Sequence, residues 1–101
     1  MLTSVDADVI RVLGDPLRLH IVTLLAQETL CTTHLVEETG AKQTNLSNHM
    51  KVLREAGLVE TEPCGRFTYY KLRPEVLASV SRQFAELAAS ARTAGDNKRA
   101  C

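Results

Sequence analysis

Three cysteines and one histidine are the residues of this chain best suited to hold a soft ion. Cys31 and His34 lie three positions apart in the stretch LCTTHL, whereas Cys64 and Cys101 stand far from both. Thiolates select soft, thiophilic ions, and imidazole suits divalent transition metals. An odd number of widely spaced cysteines indicates reduced thiols rather than a disulfide framework. The sequence therefore offers a compact Cys31/His34 pair, a dispersed set of thiols, or a buried structural thiol at Cys31.

A second set of candidate residues lies on a predicted helix over residues 43–56. Leu46, Met50 and Leu53 share one face of this helix. The other faces carry short hydrogen-bonding groups and a cation, which suit base edges and phosphates better than the Glu and Lys typical of a solvated helix. These side chains are Gln43, Thr44, Asn45, Ser47, Asn48 and Lys51.

The bulk properties limit the classes of function. The chain has 101 residues, 45% of them hydrophobic, which fits one domain with a modest core that a second copy would enlarge. Net charge is zero, but the charges are unevenly spread along the chain. Residues 41–73 hold six basic and three acidic side chains, whereas residues 1–40 hold two basic and six acidic ones. No membrane span or signal peptide is present, so we expect a cytoplasmic protein with no membrane partner. The sequence shows neither the Ser, His and Asp pattern of a catalytic triad nor a phosphate-binding loop, so an enzyme is not expected.

Helical spacing and cap residues predict the elements before the fourth helix. Apolar residues from Val5 onward form a first helix that ends at Gly14. Asp15 is the expected N-cap of a second, mostly buried helix, with Pro16 at its first position. After an extended stretch over residues 28–31, Thr32 or Thr33 is expected to cap a third helix that ends at Gly40.

The hydrophobic period changes after the fourth helix, which stops at Gly57. LVETEP and RFTYYKL are rich in β-branched and aromatic residues and predict a hairpin with its tip over residues 64–66. From Pro74 helical spacing returns as an apolar stripe, from Val76 to Ala91, that needs a partner. The fold class is therefore mainly α with a β-hairpin wing, a winged helix-turn-helix of order α-α-α-α-β-β-α. We expect residues 1–92 to form this domain and residues 93–101 a flexible tail.

Four segments together resemble the ArsR/SmtB family of small metal-responsive repressors, most closely its arsenic-responsive members. They are LGDPLRLHIVTLL, LCTTHLVEETG, QTNLSNHMKVLREAGLV and GRFTYYKL. The resemblance implies a homodimer through the first and last helices, with two recognition helices in successive major grooves of a palindromic double-stranded DNA operator, about 34 Å apart. It also implies base or phosphate contacts from the polar helix and a minor-groove contact from Arg66 at the wing. Lys42 departs from the family's usual Ser or Thr cap, but its cation can meet a phosphate. His49 is expected to support the recognition helix rather than bind a metal.

The resemblance also implies where an effector would bind, because the family uses several sensor sites. The site on the last helix needs Asp and His, and residues 74–94 contain neither. The cysteine pair of the recognition helix is replaced by Val52 and Ala56. In the arsenite pattern L-C-x-C-D-L, Cys31 matches the first cysteine, while Thr33 and His34 stand at the second cysteine and the acidic position.

The half-match favours a dispersed arsenite or antimonite site, since trivalent arsenic and antimony take three sulfurs. We expect Cys31, Cys64 and Cys101 as ligands, with His34 as an alternative ligand. The function predicted is a repressor that releases its operator when As(III) or Sb(III) binds. The alternatives are a zinc- or nickel-responsive or thiol-redox regulator of the same fold, and a winged helix that binds protein instead of DNA. The residues do not exclude activation in place of repression.

Overall fold

The computed structural model describes residues 4–101 as five helices and three strands. In chain order these are α1 (Ser4–Leu13), α2 (Pro16–Leu25), β1 (Leu30–Cys31), α3 (Thr32–Thr39), α4 (Gln43–Glu55), β2 (Val59–Cys64), β3 (Phe67–Leu72) and α5 (Pro74–Ala94). The predicted winged helix-turn-helix is confirmed, with the short strand β1 in addition. Residues 1–3 of the predicted domain, and the side chain of Val5 in the predicted first helix, lie outside the described residues.

One hydrophobic cluster joins α1, α2, α3, α4, the base of the wing and α5. All but one of its fully buried members come from helices with apolar residues three or four positions apart, the spacing that places side chains on one helix face; the exception, Leu58, lies between α4 and β2. They are Val9, Val12, Ile21, Leu35, Leu46, Met50, Leu53 and Leu58. The three buried residues of α4 fix which of its faces points outward.

Local hydrogen bonds set the ends of the helices. Asp15 caps α2 as predicted, because its carboxylate accepts the N–H groups of Leu17 and Arg18 at 2.9 and 3.1 Å. At the end of α4, Gly57 has a φ of 78° and the N–H of Leu58 donates to the Leu53 carbonyl at 3.0 Å, the bonding of a Schellman motif. This sharp stop directs the chain from the recognition helix into the wing.

The sheet has the order β1-β3-β2, and both pairings are antiparallel. In β1, Leu30 pairs with Tyr70 and Cys31 with Tyr69. At the wing tip Cys64 pairs with Phe67, so the loop is two residues long. Its first residue, Gly65, has a φ of 62°, the positive value that a type II′ hairpin turn needs at that position.

Only the first half of α5 is covered by the rest of the chain. Val80 is buried, and the Ser79 hydroxyl donates to the buried Asp6 of α1 at 3.3 Å. Farther along the predicted stripe, Phe84 is 47% and Leu87 55% exposed. The radius of gyration is 17.1 Å, against about 13 Å for a compact chain of 100 residues. The second half of α5 therefore extends an apolar face beyond the domain.

Candidate nucleic-acid interface and thiol site

The outer face of α4 is the candidate nucleic-acid interface. Leu46, Met50 and Leu53 are buried and Val52 is partly buried against the core, so the opposite face of the helix points away from the core. The structure places every predicted contact residue of this segment at the surface. The exposed residues are Lys42, Gln43, Thr44, Asn45, Ser47, Asn48 and Lys51.

The first turn of α4 is open to an anion. Helix α4 begins at Gln43, as predicted, and Lys42 occupies the N-cap position without a side-chain hydrogen bond to the turn. No acidic side chain lies in this turn. The first amides of the helix are thus left for solvent or for a phosphate oxygen, with the positive end of the helix dipole beside them.

The wing carries one further cation to the candidate interface. Arg66 is exposed at the second position of the two-residue turn between β2 and β3. Because the hairpin is anchored at its base by the buried Leu58 and Val59, this arginine is held at the far end of a two-stranded arm. That is where a winged helix reaches the DNA backbone or the minor groove.

His49 lies on the flank of α4 that faces α2. It is half-buried, and its Nδ1 is 3.2 Å from NH1 of Arg18. This contact agrees with the prediction that His49 supports the recognition helix. Arg18 was not singled out from the sequence, since 31 positions separate it from its partner and no local pattern connects them.

Cys31 and His34 form the candidate thiol site. Cys31 is 4% exposed and ends β1 at the N-terminus of α3. Its N–H donates to Nδ1 of His34 at 3.2 Å, and its Sγ is 3.3 Å from the same nitrogen. Because Nδ1 accepts a hydrogen bond from the backbone, neutral His34 carries its proton on Nε2.

The expected cap of α3 at Thr32 or Thr33 is therefore wrong. Cys31 is the N-cap residue, and His34 at the third helical position accepts a hydrogen bond from the N–H of Cys31, which is one half of a capping box. Pairing of Cys31 with Tyr69 keeps the chain extended up to this residue, so the helix begins one position earlier than a threonine cap would allow. Thr33, at the place of the second family cysteine, is exposed.

A pocket of about 310 Å³ opens beside the Cys31/His34 pair. One wall is aromatic: the Tyr69 ring packs edge-on against the His34 ring at 6.0 Å between centroids, and Phe67 is 54% exposed. The lining residues are Cys31, Thr33, His34, Glu37, Phe67 and Tyr69. Sequence reasoning missed the two aromatic residues, although their alternation in RFTYYKL places them on one face of a strand.

Cys64 lies on the same face of the sheet as Cys31 but at a distance. Residues paired across antiparallel strands share a face, as do residues two apart along a strand, so Cys31, Tyr69, Phe67 and Cys64 all point to one side. Two strand spacings and two residue rises put the Cα atoms of Cys31 and Cys64 about 12 Å apart. That separation exceeds the reach of a disulfide or of one shared ion in this conformation.

Cys101 is exposed at the end of the chain, seven positions beyond the end of α5 at Ala94. Over residues 4–101, no three His, Cys, Asp or Glu side chains are grouped so that they could hold a metal ion. The structure thus brings Cys31 and His34 together and does not bring Cys64 or Cys101 to them. A site made of all three thiols stays a prediction.

Comparison with known proteins gives a consistent result. A family model described as bacterial regulatory protein, arsR family, matches residues 15–61. The arsenical resistance operon repressor of Staphylococcus xylosus is 38% identical over 74 residues, which cover 73% of this chain and 71% of that protein. The transcriptional repressor SmtB of Mycobacterium tuberculosis is 34% identical over 73 residues, which cover 72% of this chain and 54% of that protein.

Solved structures extend the match through the wing and into the last helix. A crystal structure of a possible transcriptional regulator for arsenical resistance has a TM-score of 0.70 and 32% identity, covering 88% of this chain and 95% of that one. An ArsR-like transcriptional regulator from Rhodococcus has a TM-score of 0.77 at 24% identity over 86% of this chain and 82% of its own, which shows a shared fold. Within the described residues, no helix is long and apolar enough to cross a membrane.

Proposed function

The chain belongs to the arsR family of bacterial regulatory proteins, and we propose that it is a homodimeric repressor that releases a palindromic operator when a thiophilic ion binds at Cys31. The family consists of DNA-binding transcriptional regulators and not of enzymes. Arsenite or antimonite is the effector that we propose.

Operator contact is proposed for the exposed face of α4 and for the tip of the wing. Amide and hydroxyl side chains such as Gln43 and Asn48 can donate to and accept from base edges, which lets them discriminate between base pairs. Lys42, Lys51 and Arg66 can neutralise phosphates, which sets the register of the helix in the groove. The exposure of all of these side chains supports this assignment.

A dimer through α1 and α5 is proposed for the apolar face that the single chain leaves uncovered. Phe84 and Leu87 continue the stripe whose first part, with Val80, packs against the core, and both are about half exposed. Two such faces packed against each other would bury these side chains. The same arrangement would hold two α4 helices at the spacing of one turn of DNA.

The observation that carries the effector proposal is the position of Cys31. It is a buried thiol with a neighbouring imidazole, it opens onto a pocket, and it lies at the start of the helix that precedes the recognition helix. A soft ion would select this thiolate over the carboxylates and hydroxyls nearby. In our proposal Cys64 and Cys101 supply the other two sulfurs after the wing and the tail rearrange, or from the second protomer.

Release would follow from a shift between two arrangements of the dimer. Helix α3 joins α4 through only three residues, 40–42, and the two helices pack on each other. An ion that draws Cys31 towards distant thiols would change the angle of α3 and with it the position of α4. The ion then stabilises the arrangement with lower operator affinity. The size of this effect equals the difference between its binding free energies for the two arrangements.

Binding of arsenite to the reduced protein, followed by sulfur-to-arsenic absorption and by counting free thiols, tests this proposal. We expect three thiols to be consumed per bound arsenite, and we expect Cys31→Ser, Cys64→Ser and Cys101→Ser each to weaken binding. If Cys31→Ser is the only one of the three variants that loses binding, Cys64 and Cys101 are not ligands of the site. Unchanged binding in Cys31→Ser would refute the proposed site.

The contact between Cys31 and His34 favours a second candidate effector, a divalent transition metal such as zinc or nickel. A sulfur and an imidazole nitrogen 3.3 Å apart can ligate one such ion. His34→Gln separates the two candidates. It should weaken binding of zinc or nickel and leave binding of arsenite close to that of the wild type.

A further inference from the structure

Arg18 connects three helices through its side chain and its neighbouring cap. Its Nε–H donates to the Val12 carbonyl in the last turn of α1 at 2.6 Å. Its NH1 group lies 3.2 Å from Nδ1 of His49 on α4. Its own N–H donates to Asp15, the N-cap of α2. The end of α1, the start of α2 and the middle of α4 thus meet at one residue, Arg18.

The direction of the bond to His49 follows from the chemistry of the two groups. A guanidinium has donors only, so Nδ1 of His49 must be the acceptor, and the proton of the neutral ring is on Nε2. Both groups are half-buried, so the bond is less screened than an ion pair at the surface. The two acceptors of Arg18 lie on different helices, and the planar fork of its guanidinium fixes their relative position.

These bonds link the proposed dimer interface to the recognition helix. Helix α1 packs on α5 through the core and through the hydrogen bond from Ser79 to Asp6. Helix α4 is joined to α1 through Arg18. The distance and angle between two recognition helices in a dimer depend on how each α4 is held relative to its own α1 and α5.

We propose that Arg18 is a positioning residue for operator binding, which acts through His49 to hold α4 at the angle that a two-site operator requires. The inference rests on the proposed function, because it needs a dimer that binds two half-sites. It differs from a phosphate contact, since Nε and NH1 of Arg18 are directed to Val12 and His49 inside the protein. It predicts that removing Arg18 affects the complete operator more than a single half-site.

Four single variants and one double variant test this inference by fluorescence anisotropy on DNA duplexes selected by the wild-type protein from a random pool. Arg18→Met removes both hydrogen bonds and keeps the aliphatic stem. His49→Phe removes the acceptor and keeps a ring, whereas His49→Asn places an amide oxygen near the position of Nδ1. Arg11→Met is the matched control, because it also removes one positive charge but breaks only an exposed ion pair with Asp8.

We expect Arg18→Met and His49→Phe to weaken binding of the complete operator about ten- to a hundredfold, because each variant dimer loses at least the two charge-assisted hydrogen bonds between Arg18 and His49. The double variant should bind about as weakly as Arg18→Met alone, since both changes remove the same contact. His49→Asn should recover most of the affinity, and Arg11→Met should bind like the wild type. Binding to a duplex with one half-site should weaken less than about threefold, because one half-site does not require two recognition helices at a fixed angle. Loss of one hydrogen bond to a charged group in the contact itself would weaken binding by more than that.

The outcomes separate this inference from the proposed function. If the wild-type protein selects no duplex, operator binding itself is wrong. If it binds and folded Arg18→Met binds the complete operator equally well, the positioning role is overturned. An equal loss on the complete operator and on the half-site would also overturn it, because Arg18 would then act as a direct DNA contact. Circular dichroism establishes folding, and His49→Phe replaces Arg18→Met if that variant does not fold.

Discussion

The salt dependence of operator binding measures how many cations of this chain meet phosphates. Three of the residues proposed to contact the operator are exposed cations, Lys42, Lys51 and Arg66, so a bound dimer would place about six against the DNA. Six neutralised phosphates give a slope of about −5 for the logarithm of the association constant against the logarithm of salt concentration. Raising salt from about 50 to 200 mM should then weaken binding about a thousandfold.

Lys51→Gln removes one of these cations from each protomer and leaves the buried face of α4 untouched. In a dimer the slope should become less steep by about two, and in a protein that binds as a monomer by about one. Anisotropy titrations at four or five salt concentrations give the slope directly. Lys98→Gln, which removes a cation from the exposed tail, is the control and should leave the slope unchanged. An unchanged slope in Lys51→Gln would refute the placement of Lys51 beside a phosphate.

Three further predictions concern assembly and stability. Phe84→Lys should dissociate the proposed dimer, because it places a charge on the half-exposed apolar stripe of α5. Sedimentation velocity of a protein with unchanged circular dichroism would then show monomers, and a dimer that persists contradicts the proposed interface. Gly57→Ala should lower the free energy of unfolding in urea by about 1–2 kcal/mol, because alanine is strained at a φ of 78°, whereas Gly95→Ala, at a φ of −57°, should cost nothing. The N–H of Arg18, and less strongly the N–H of Leu17 and the charge of Arg18, hold the pKa of Asp15 below its ordinary value near 3.8. The stability that this ionised cap contributes is therefore complete above that value and is lost as pH falls through the lower folded-state pKa. The free energy of unfolding in urea of the wild type should therefore exceed that of Asp15→Asn by less at pH 2 than at pH 7. A difference that grows on acidification would contradict this prediction.

The helices and the wing were predictable because their signals are local. The spacing of Leu46, Met50 and Leu53 identifies the buried face of α4 and, by exclusion, the polar face that we propose contacts DNA. Gly57 and Gly65 mark turns whose positive φ excludes most other residues. Cap positions were less predictable, because Cys31 and His34 are not among the residues that usually form a capping box.

The contacts that could not be predicted join residues far apart in the sequence. The pairing of β1 with β3 involves only two residues of β1, and the sequence gives no register for so short a strand. Without that register, neither the shared face of Cys31 and Cys64 nor the aromatic wall of the pocket can be derived. The bond between Arg18 and His49 likewise depends on the angle between α2 and α4, which hydrophobic periodicity does not determine.

The release of operator DNA by arsenite tests the central claim most directly. The reduced wild-type protein, bound to its selected duplex and titrated with arsenite, should lose anisotropy at concentrations that also consume thiols. Cys31→Ser should bind the same duplex with the same affinity and remain bound at those concentrations. Release of Cys31→Ser at the wild-type arsenite concentration, or no release of the wild type while its thiols are consumed, would contradict the account.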